Sequence, residues 1–175
     1  MSYKDELIKA MGMLAEDDRT IFLGQEIITN GFYKTMSEVP EDKMIELPIM
    51  EDVQMGMSTG LSLMGFVPVS LYTRMDFFLL TMNQLVNHLD KIEDMSHGDF
   101  KPKVIIRTVV GEHVPMDCGP QHTQDFTEMI ETVLNSVKVV KLESMYDIVP
   151  AYQSALTFAG STVLVESKEL YGKET

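Results

Sequence analysis

The sequence contains little of what several classes of protein require. Its single cysteine, Cys118, excludes an internal disulfide and fits a reducing compartment. Lysine and arginine total 14 against 27 acidic residues, and the net charge of −13 disfavours binding to nucleic acid or to an anionic membrane. No run of residues reaches the roughly 18 apolar positions that a membrane span needs. The N-terminus lacks a basic region followed by an apolar stretch, so we predict no signal peptide and a cytoplasmic location.

What is present is the composition of one soluble globular domain. The 175 residues are 45% hydrophobic and 23% charged, which suffices for a core without disulfides. Methionine is abundant, and several methionines are clustered in the sequence: Met44, Met50, Met55, Met57 and Met64. Such flexible side chains either fill a core or line an adaptable interface with a partner, and the sequence leaves both interpretations open.

Short β-branched runs alternate with helical patterns along the chain. We predict strands at 20–23, 44–47, 67–72, 104–108, 137–142 and 162–166. Helices are predicted at 3–15, 52–64, 75–94, 124–136 and 144–159, with mostly loop at 26–42 and a long loop at 109–123. Strand–helix units in this order predict an α/β fold, in which three α/β/α layers surround a mainly parallel six-stranded sheet. We expect a single domain over residues 1–175.

Ligands of such folds bind beyond the carboxyl ends of the strands. Four segments lie there in the predicted fold: 24–26, 48–52, 73–77 and the long loop at 109–123. Neither GxxxxGK[ST] nor GxGxxG occurs, so the usual nucleotide fingerprints are missing. Metal-ligating residue types occur in the long loop, but they match no closed zinc pattern and we predict no metal site. These residues are Glu112, His113, Asp117, Cys118 and His122.

Several polar and aromatic residues at these strand ends allow both a structural and a functional interpretation. Glu51 and Asp52 can serve simply as acidic residues in a first helical turn, where the helix dipole favours them. Phe77 and Phe78 can both belong to the core. A loop histidine such as His122 is a candidate for proton transfer, because histidine ordinarily titrates near neutrality.

A set of short motifs occupies the same strand ends. The motifs are Phe22-Leu23-Gly24-Gln25-Glu26, Leu47-Pro48-Ile49-Met50-Glu51, Gly60-Leu61-Ser62-Leu63-Met64-Gly65, Asp76-Phe77, Asn83-Gln84-Leu85-Val86-Asn87, Val104-Ile105-Ile106-Arg107 and Gln121-His122-Thr123-Gln124. With these motifs the chain resembles, from about Tyr3 to Tyr171, the pyrimidine-binding module of thiamin-diphosphate enzymes. The likeness is greatest to the beta subunits of pyruvate and branched-chain 2-oxo acid dehydrogenases, and transketolase is more distant.

The resemblance implies a role for five residues. Glu51 matches the catalytic glutamate that hydrogen-bonds N1′ of the aminopyrimidine, where a carboxyl group favours the 4′-imino tautomer. Phe77 matches the aromatic residue that stacks on the pyrimidine, and Ile49 an aliphatic residue that packs against the cofactor. Gln25 falls where relatives often carry an acid near the pyrimidine. His122 matches the catalytic histidine that faces the substrate.

The resemblance also implies a second polypeptide, because the Gly-Asp-Gly motif that holds diphosphate and Mg²⁺ in the family does not occur in this sequence. We therefore expect an alpha-type partner subunit that supplies the diphosphate-binding module, an α₂β₂ assembly with self-association of this chain, and activity only in the complex. The C-terminal domain of beta-subunit relatives is likewise not expected. The implied reaction makes or breaks a C–C bond next to a carbonyl in a 2-oxo acid or ketose. Three alternatives stay open: 2-oxo acid decarboxylation or dehydrogenation, transketolase-like ketol transfer or carboligation, and a non-catalytic remnant that binds a partner.

Overall fold

Six strands form one sheet at the centre of the protein, as seen in a computed structural model that describes residues 2–114 and 116–172. The strands are β1 (Thr20–Gly24), β2 (Met44–Glu46), β3 (Val67–Tyr72), β4 (Ile105–Val110), β5 (Lys138–Lys141) and β6 (Thr162–Ser167). They lie in the order β2-β1-β3-β4-β6-β5, and every neighbouring pair is parallel. β3 is buried along its whole length, as expected of a strand covered by helices on both faces.

The helices that cover the sheet are mostly short. They are α1 (Tyr3–Ala15), α2 (Gly31–Lys34), α3 (Glu51–Leu63), α4 (Met75–Phe78), α5 (Ile92–Met95), α6 (Thr127–Val133) and α7 (Met145–Thr157). Turns of 3₁₀-helix add residues 41–43, 79–81 and 168–170. Within residues 2–114 and 116–172, no helix is both long and apolar enough to cross a bilayer.

Two hydrophobic cores lie on opposite faces of the sheet. One core packs α1 and α7 against the strands and includes Leu7 and Ile148. The other contains Met55 of α3, Phe78 of α4 and Ile130 of α6. The predicted three-layer α/β/α arrangement around a six-stranded parallel sheet is therefore confirmed.

The prediction of one long regular helix at 75–94 is wrong in its detail, because the segment is helical but interrupted. The segment begins as α4, tightens into the 3₁₀ turn at 79–81, widens into a π-helix over Asn83–Leu89 and ends as α5. The widened turn is closed by the N–H of Asp90, which donates to the carbonyl oxygen of Leu85 at 2.9 Å. It accompanies a buried carboxylate at Asp90 that accepts hydrogen bonds from the backbone N–H groups of residues 135–137.

The same contact shortens the helix that was predicted at 124–136. The Asp90 carboxylate binds the N–H groups at 135–137, so these groups cannot continue a helix. At the other end, α6 begins at Thr127, whose backbone N–H donates to a side-chain oxygen of Asp125 at 3.0 Å.

A buried ion pair joins the neighbouring strands β4 and β6. The Arg107 guanidinium donates from Nε to Glu166 Oε1 at 2.5 Å and from Nη2 to Oε2 at 3.0 Å, and both side chains are fully buried. The hydroxyls of Tyr152 and Tyr171 also donate to the Glu166 carboxylate. Arg107 Nη1 donates in addition to Thr35 Oγ1 at 2.9 Å. Both charges are thus paired in the way a buried ion pair requires.

Candidate functional site

The carboxyl edge of the sheet contains a point where the chain reverses direction across the strand order. From β1 the chain passes to β2 on one side, whereas β3 lies on the other side of β1. Such a switch point leaves a crevice above the strand ends, where ligands of open parallel sheets bind. Gly24 closes β1 at this edge, and a Cβ on it would lie 2.6 Å from the carbonyl oxygen of Leu71 in β3. Glycine is required there because the two strands approach too closely for a side chain.

Glu51 is the first residue of α3, at the same edge. Its side chain is buried, with 6% exposure, and its carboxylate makes no hydrogen bond or ion pair with any described residue. The negative charge is placed favourably at the positive end of the helix dipole. Burial raises the pKa of the nearby Tyr72 phenol well above its usual range, and the charges of Glu51 and Asp52 raise it further. Glu51 is therefore a largely buried residue whose carboxylate has no donor among the described residues and is not among the fully enclosed unpartnered groups.

A polar contact one helical turn later fixes α3 to the sheet. Gln54 Nε2 donates to the carbonyl oxygen of Leu71 at 2.9 Å, to Ser70 Oγ at 3.0 Å and to the carbonyl oxygen of Leu23 at 3.4 Å. Ser58 Oγ donates to Ser70 Oγ at 3.0 Å. The buried Gln54 Oε1 has no partner among the described residues. The Gln54 amide thus bridges the ends of β1 and β3, and it fixes the position of α3, which carries Glu51, relative to the sheet.

Sequence reasoning did not single out Gln54 as a residue that anchors α3 at the candidate site. The signal that could have found it is a polar face at helical spacing, since Gln54 and Ser58 lie four residues apart on the side of α3 that turns inward.

The outward side of α3 is apolar instead. Val53 is 52% exposed, Met57 36% and Met64 78%. Met50 is also exposed, whereas Met55 is fully buried in the core. The five clustered methionines therefore divide between the two interpretations that the sequence left open: Met55 is in the core, Met44 is partly buried against it, and the other three are exposed.

Phe77 and His122 come together at the next strand ends along the sheet. Their rings meet edge to face with centroids 5.4 Å apart. Phe77 is 37% exposed and Phe78 is fully buried, so only the second phenylalanine is a core residue. The backbone of His122 passes so close to the end of β4 that a Cβ on Gly111 would lie 1.7 Å from its carbonyl oxygen.

The two other predicted site residues lie at the same edge without joining that pair. Gln25 directly follows β1 and is half-buried. Ile49 is in the connection from β2 to α3 and is 79% exposed. No hydrogen bond among the described residues links Gln25 or Glu51 to Phe77 or His122. The structure thus collects the predicted residues at one edge and brings only Phe77 and His122 into direct contact.

One histidine and one acidic residue of the loop after β4 lie close together. His113 Nδ1 lies 3.5 Å from Asp117 Oδ1. The backbone N–H of Gly119 and then the His113 ring lower the pKa of the Asp117 carboxyl. In the part of the chain that the structure describes, no three His, Cys, Asp or Glu side chains are grouped so that they could hold a metal ion.

The fold and this edge define a three-layer α/β/α domain whose candidate ligand site lies beyond parallel strand ends. A comparison with protein families identifies it further. Residues 1–174 match the family described as "Transketolase, pyrimidine binding domain", and the chain belongs to this family. The predicted resemblance is thereby confirmed.

Individual relatives agree with this assignment. The chain is 27% identical to the "Pyruvate dehydrogenase E1 component subunit beta, mitochondrial" of Saccharomyces cerevisiae, a match that covers 99% of this chain and 48% of the relative. It is 26% identical to the "Acetoin:2,6-dichlorophenolindophenol oxidoreductase subunit beta" of Cupriavidus necator, and this match covers 93% of this chain and 46% of the relative. The chain spans about half the length of these curated relatives.

A solved structure shows the same fold. It is described as "Split gene transketolase, inactive beta4 tetramer" and superposes with a TM-score of 0.78 at 15% identity. The match covers 100% of this chain and 53% of that one.

Proposed function

We propose that this protein is the pyrimidine-binding subunit of a thiamin-diphosphate enzyme that acts only together with a diphosphate-binding subunit. The observation that carries the proposal is Glu51, a largely buried residue at a helix N-terminus whose carboxylate has no donor among the described residues. A free acceptor on a largely buried residue favours a ligand that donates to it, and hydrogen bonds to charged groups contribute about 1.5–3 kcal/mol. Glu51 would hold a proton at N1′ of the aminopyrimidine. Thiamin diphosphate supplies an electron sink next to the substrate carbonyl when it is bound.

The remaining residues at the edge fit the same ligand. The partly exposed ring of Phe77 offers an aromatic surface to a flat heterocycle. Ile49 and Gln25 flank the crevice from the ends of β2 and β1. His122 is held against Phe77 and would donate or accept a proton at a substrate oxygen.

The apolar face of α3 supports the need for a partner. The helix that begins with Glu51 exposes Val53 and Met57, and Met64 is exposed just beyond its C-terminal end. Exposed apolar patches next to a site are typical of interfaces. We infer an alpha-type partner that holds the diphosphate and most of the Mg²⁺ ligands, in an α₂β₂ assembly with self-association of this chain. A single pyrimidine-binding domain over 1–175 and a cytoplasmic location remain predictions.

The reaction class that we favour is cleavage of a 2-oxo acid, of the decarboxylating or dehydrogenating type. The names of the relatives, pyruvate dehydrogenase and acetoin oxidoreductase beta subunits, support it. Ketol transfer or carboligation is the second candidate, supported by the split transketolase with the same fold. Assaying the assembled pair with 2-oxo acids plus an artificial electron acceptor, and with ketose phosphates, separates the two. A non-catalytic remnant would show no turnover with either substrate.

The central test replaces Glu51 in the complex with its partner. Glu51→Gln is expected to lower the rate of hydrogen–deuterium exchange at C2 of thiamin diphosphate by about 10²-fold or more, while the fold stays intact. The control is Asp52→Asn, since Asp52 shares the first turn of α3 but is not buried. If both acids serve only to stabilise the N-terminus of α3 through the helix dipole, the two variants will show the same exchange rate at C2. Wild-type exchange in Glu51→Gln would rule the proposal out.

A further inference from the structure

The first turn of α4 is joined residue by residue to the segment that carries His122. Three successive residues of α4 contact alternate residues of the segment 122–126. The pairs are Met75 with Phe126, Asp76 with Gln124, and Phe77 with His122. The three contacts together place the segment 122–126 directly against the first turn of α4. A shift of the segment by one residue would break all three contacts.

Asp76 makes the strongest of these contacts. Its Oδ1 accepts from Gln124 Nε2 at 2.9 Å and from the backbone N–H of Gln124 at 3.4 Å. Its Oδ2 is buried and has no partner among the described residues. The Asp76 carboxylate therefore binds the segment 122–126 through Oδ1 alone among its two oxygens.

His122 depends on its surroundings for its orientation. Its backbone N–H donates to the carbonyl oxygen of Gly119 at 3.0 Å, and its carbonyl oxygen lies against Gly111. These contacts fix the main chain but leave the imidazole free to rotate. The edge-to-face contact with Phe77 is what sets the ring, and it requires the segment to lie against α4.

We propose that Asp76 is a positioning residue for His122. By binding both the main chain and the side chain of Gln124, it keeps the segment on α4 and the His122 ring against Phe77. The catalytic consequence rests on the proposed function above, in which His122 faces the substrate. The placement of the ring is a property of this chain alone.

Two substitutions separate the hydrogen bond from the mere presence of a side chain. Asp76→Asn keeps an oxygen in the position of Oδ1 and puts an amino group where Oδ2 now lies unpartnered. Asp76→Ala removes the acceptor altogether. Asp99→Ala removes an exposed carboxylate elsewhere and serves as a matched control.

The first measurement is the nuclear Overhauser effect between ring protons of Phe77 and His122 in the full chain, with circular dichroism to verify folding. We expect the effect in wild type, Asp76→Asn and Asp99→Ala, and at least a several-fold weaker effect in folded Asp76→Ala. An undiminished effect in Asp76→Ala, or its absence from wild type, would overturn the proposal.

The second measurement is turnover in the complex with the partner subunit. Asp76→Ala is expected to lower kcat by about 10- to 100-fold with little change in KM, since a displacement of about 1 Å can have that effect. Asp76→Asn should restore most of the lost rate. Equal losses in both variants would contradict a role through Oδ1. The ring contact is measured without turnover, so a failure of the proposed function and a failure of this proposal remain distinguishable.

Discussion

Replacing Arg107 by methionine tests how far the buried ion pair supports the sheet. The substitution removes two charge-assisted hydrogen bonds to Glu166 and one to Thr35. It also removes the cation from the face of the Phe32 ring, 4.7 Å away. Glu166 is then left as a buried carboxylate with only the tyrosine hydroxyls as donors. Breaking a buried pair in this way typically lowers the free energy of unfolding by about 3–5 kcal/mol, and we expect that range here.

The complementary variants make the reasoning testable by a double-mutant cycle. Glu166→Gln leaves the Arg107 cation unpaired in the core and should destabilise the protein by a similar amount. The double variant, with Arg107→Met and Glu166→Gln together, buries no unpaired charge, and its amide can still accept from a tyrosine hydroxyl. It should therefore lose several kcal/mol less than the two single losses combined.

Urea unfolding at neutral pH, followed by circular dichroism, measures all four proteins. The slope of free energy against urea must stay constant for the comparison to hold. The reasoning would be refuted by additivity of the two single effects to within about 0.5 kcal/mol. A loss below about 1 kcal/mol in Arg107→Met would refute it equally, since that is the range of an exposed pair.

Two further predictions concern backbone packing and pH. Gly24→Ala should lower the free energy of unfolding by about 1–3 kcal/mol, because its Cβ would lie 2.6 Å from the Leu71 carbonyl oxygen. Gly60→Ala, in open space on α3, should raise it by up to about 1 kcal/mol, and denaturation of both variants would reveal any failure of this ordering. Burial raises the pKa of Asp90, but Lys91 and the N–H groups of residues 135–137 outweigh it and hold the pKa well below its usual range. The pKa of this carboxyl in the unfolded state is about 4. The stabilisation is therefore complete at neutral pH and is lost progressively as the pH falls below about 5. Asp90→Asn should flatten the acid side of the stability curve, and an unchanged slope would count against the assignment.

The sheet could be predicted from the sequence because each strand carries a local signal. Runs such as Val67–Tyr72 and Thr162–Ser167 are almost wholly buried, and β-branched residues make up half of the second. The breaks in the helical segment after β3 could not be predicted. The π-helix accompanies a carboxylate at Asp90 that binds a loop about 45 residues further along the chain, and no local periodicity reports such a contact.

The candidate site was predictable in its positions but not in its contacts. Short motifs place Glu51, Phe77 and His122 after strands, and in the structure they follow β2, β3 and β4, while their roles in a site stay predictions. Motifs do not say that the ring of residue 122 meets residue 77, nor that Gln54 and Asp76 hold the elements in place. Those are tertiary hydrogen bonds and ring contacts between distant segments, which the spacing of a single sequence does not encode.

The distribution of polarity on α3 has a consequence for the life of the protein outside its complex. Beside the core residue Met55, the helix turns Gln54 and Ser58 inward, and it exposes Val53, Met57 and, just beyond its C-terminal end, Met64 to water. Covering such a side chain fully is worth about 1.5–3 kcal/mol, so the uncovered helix holds several kcal/mol of unrealised hydrophobic stabilisation. A chain made in excess over whatever covers this face would be prone to aggregate. We therefore expect its solubility in the cell to depend on matched synthesis of the partner that we propose for this face.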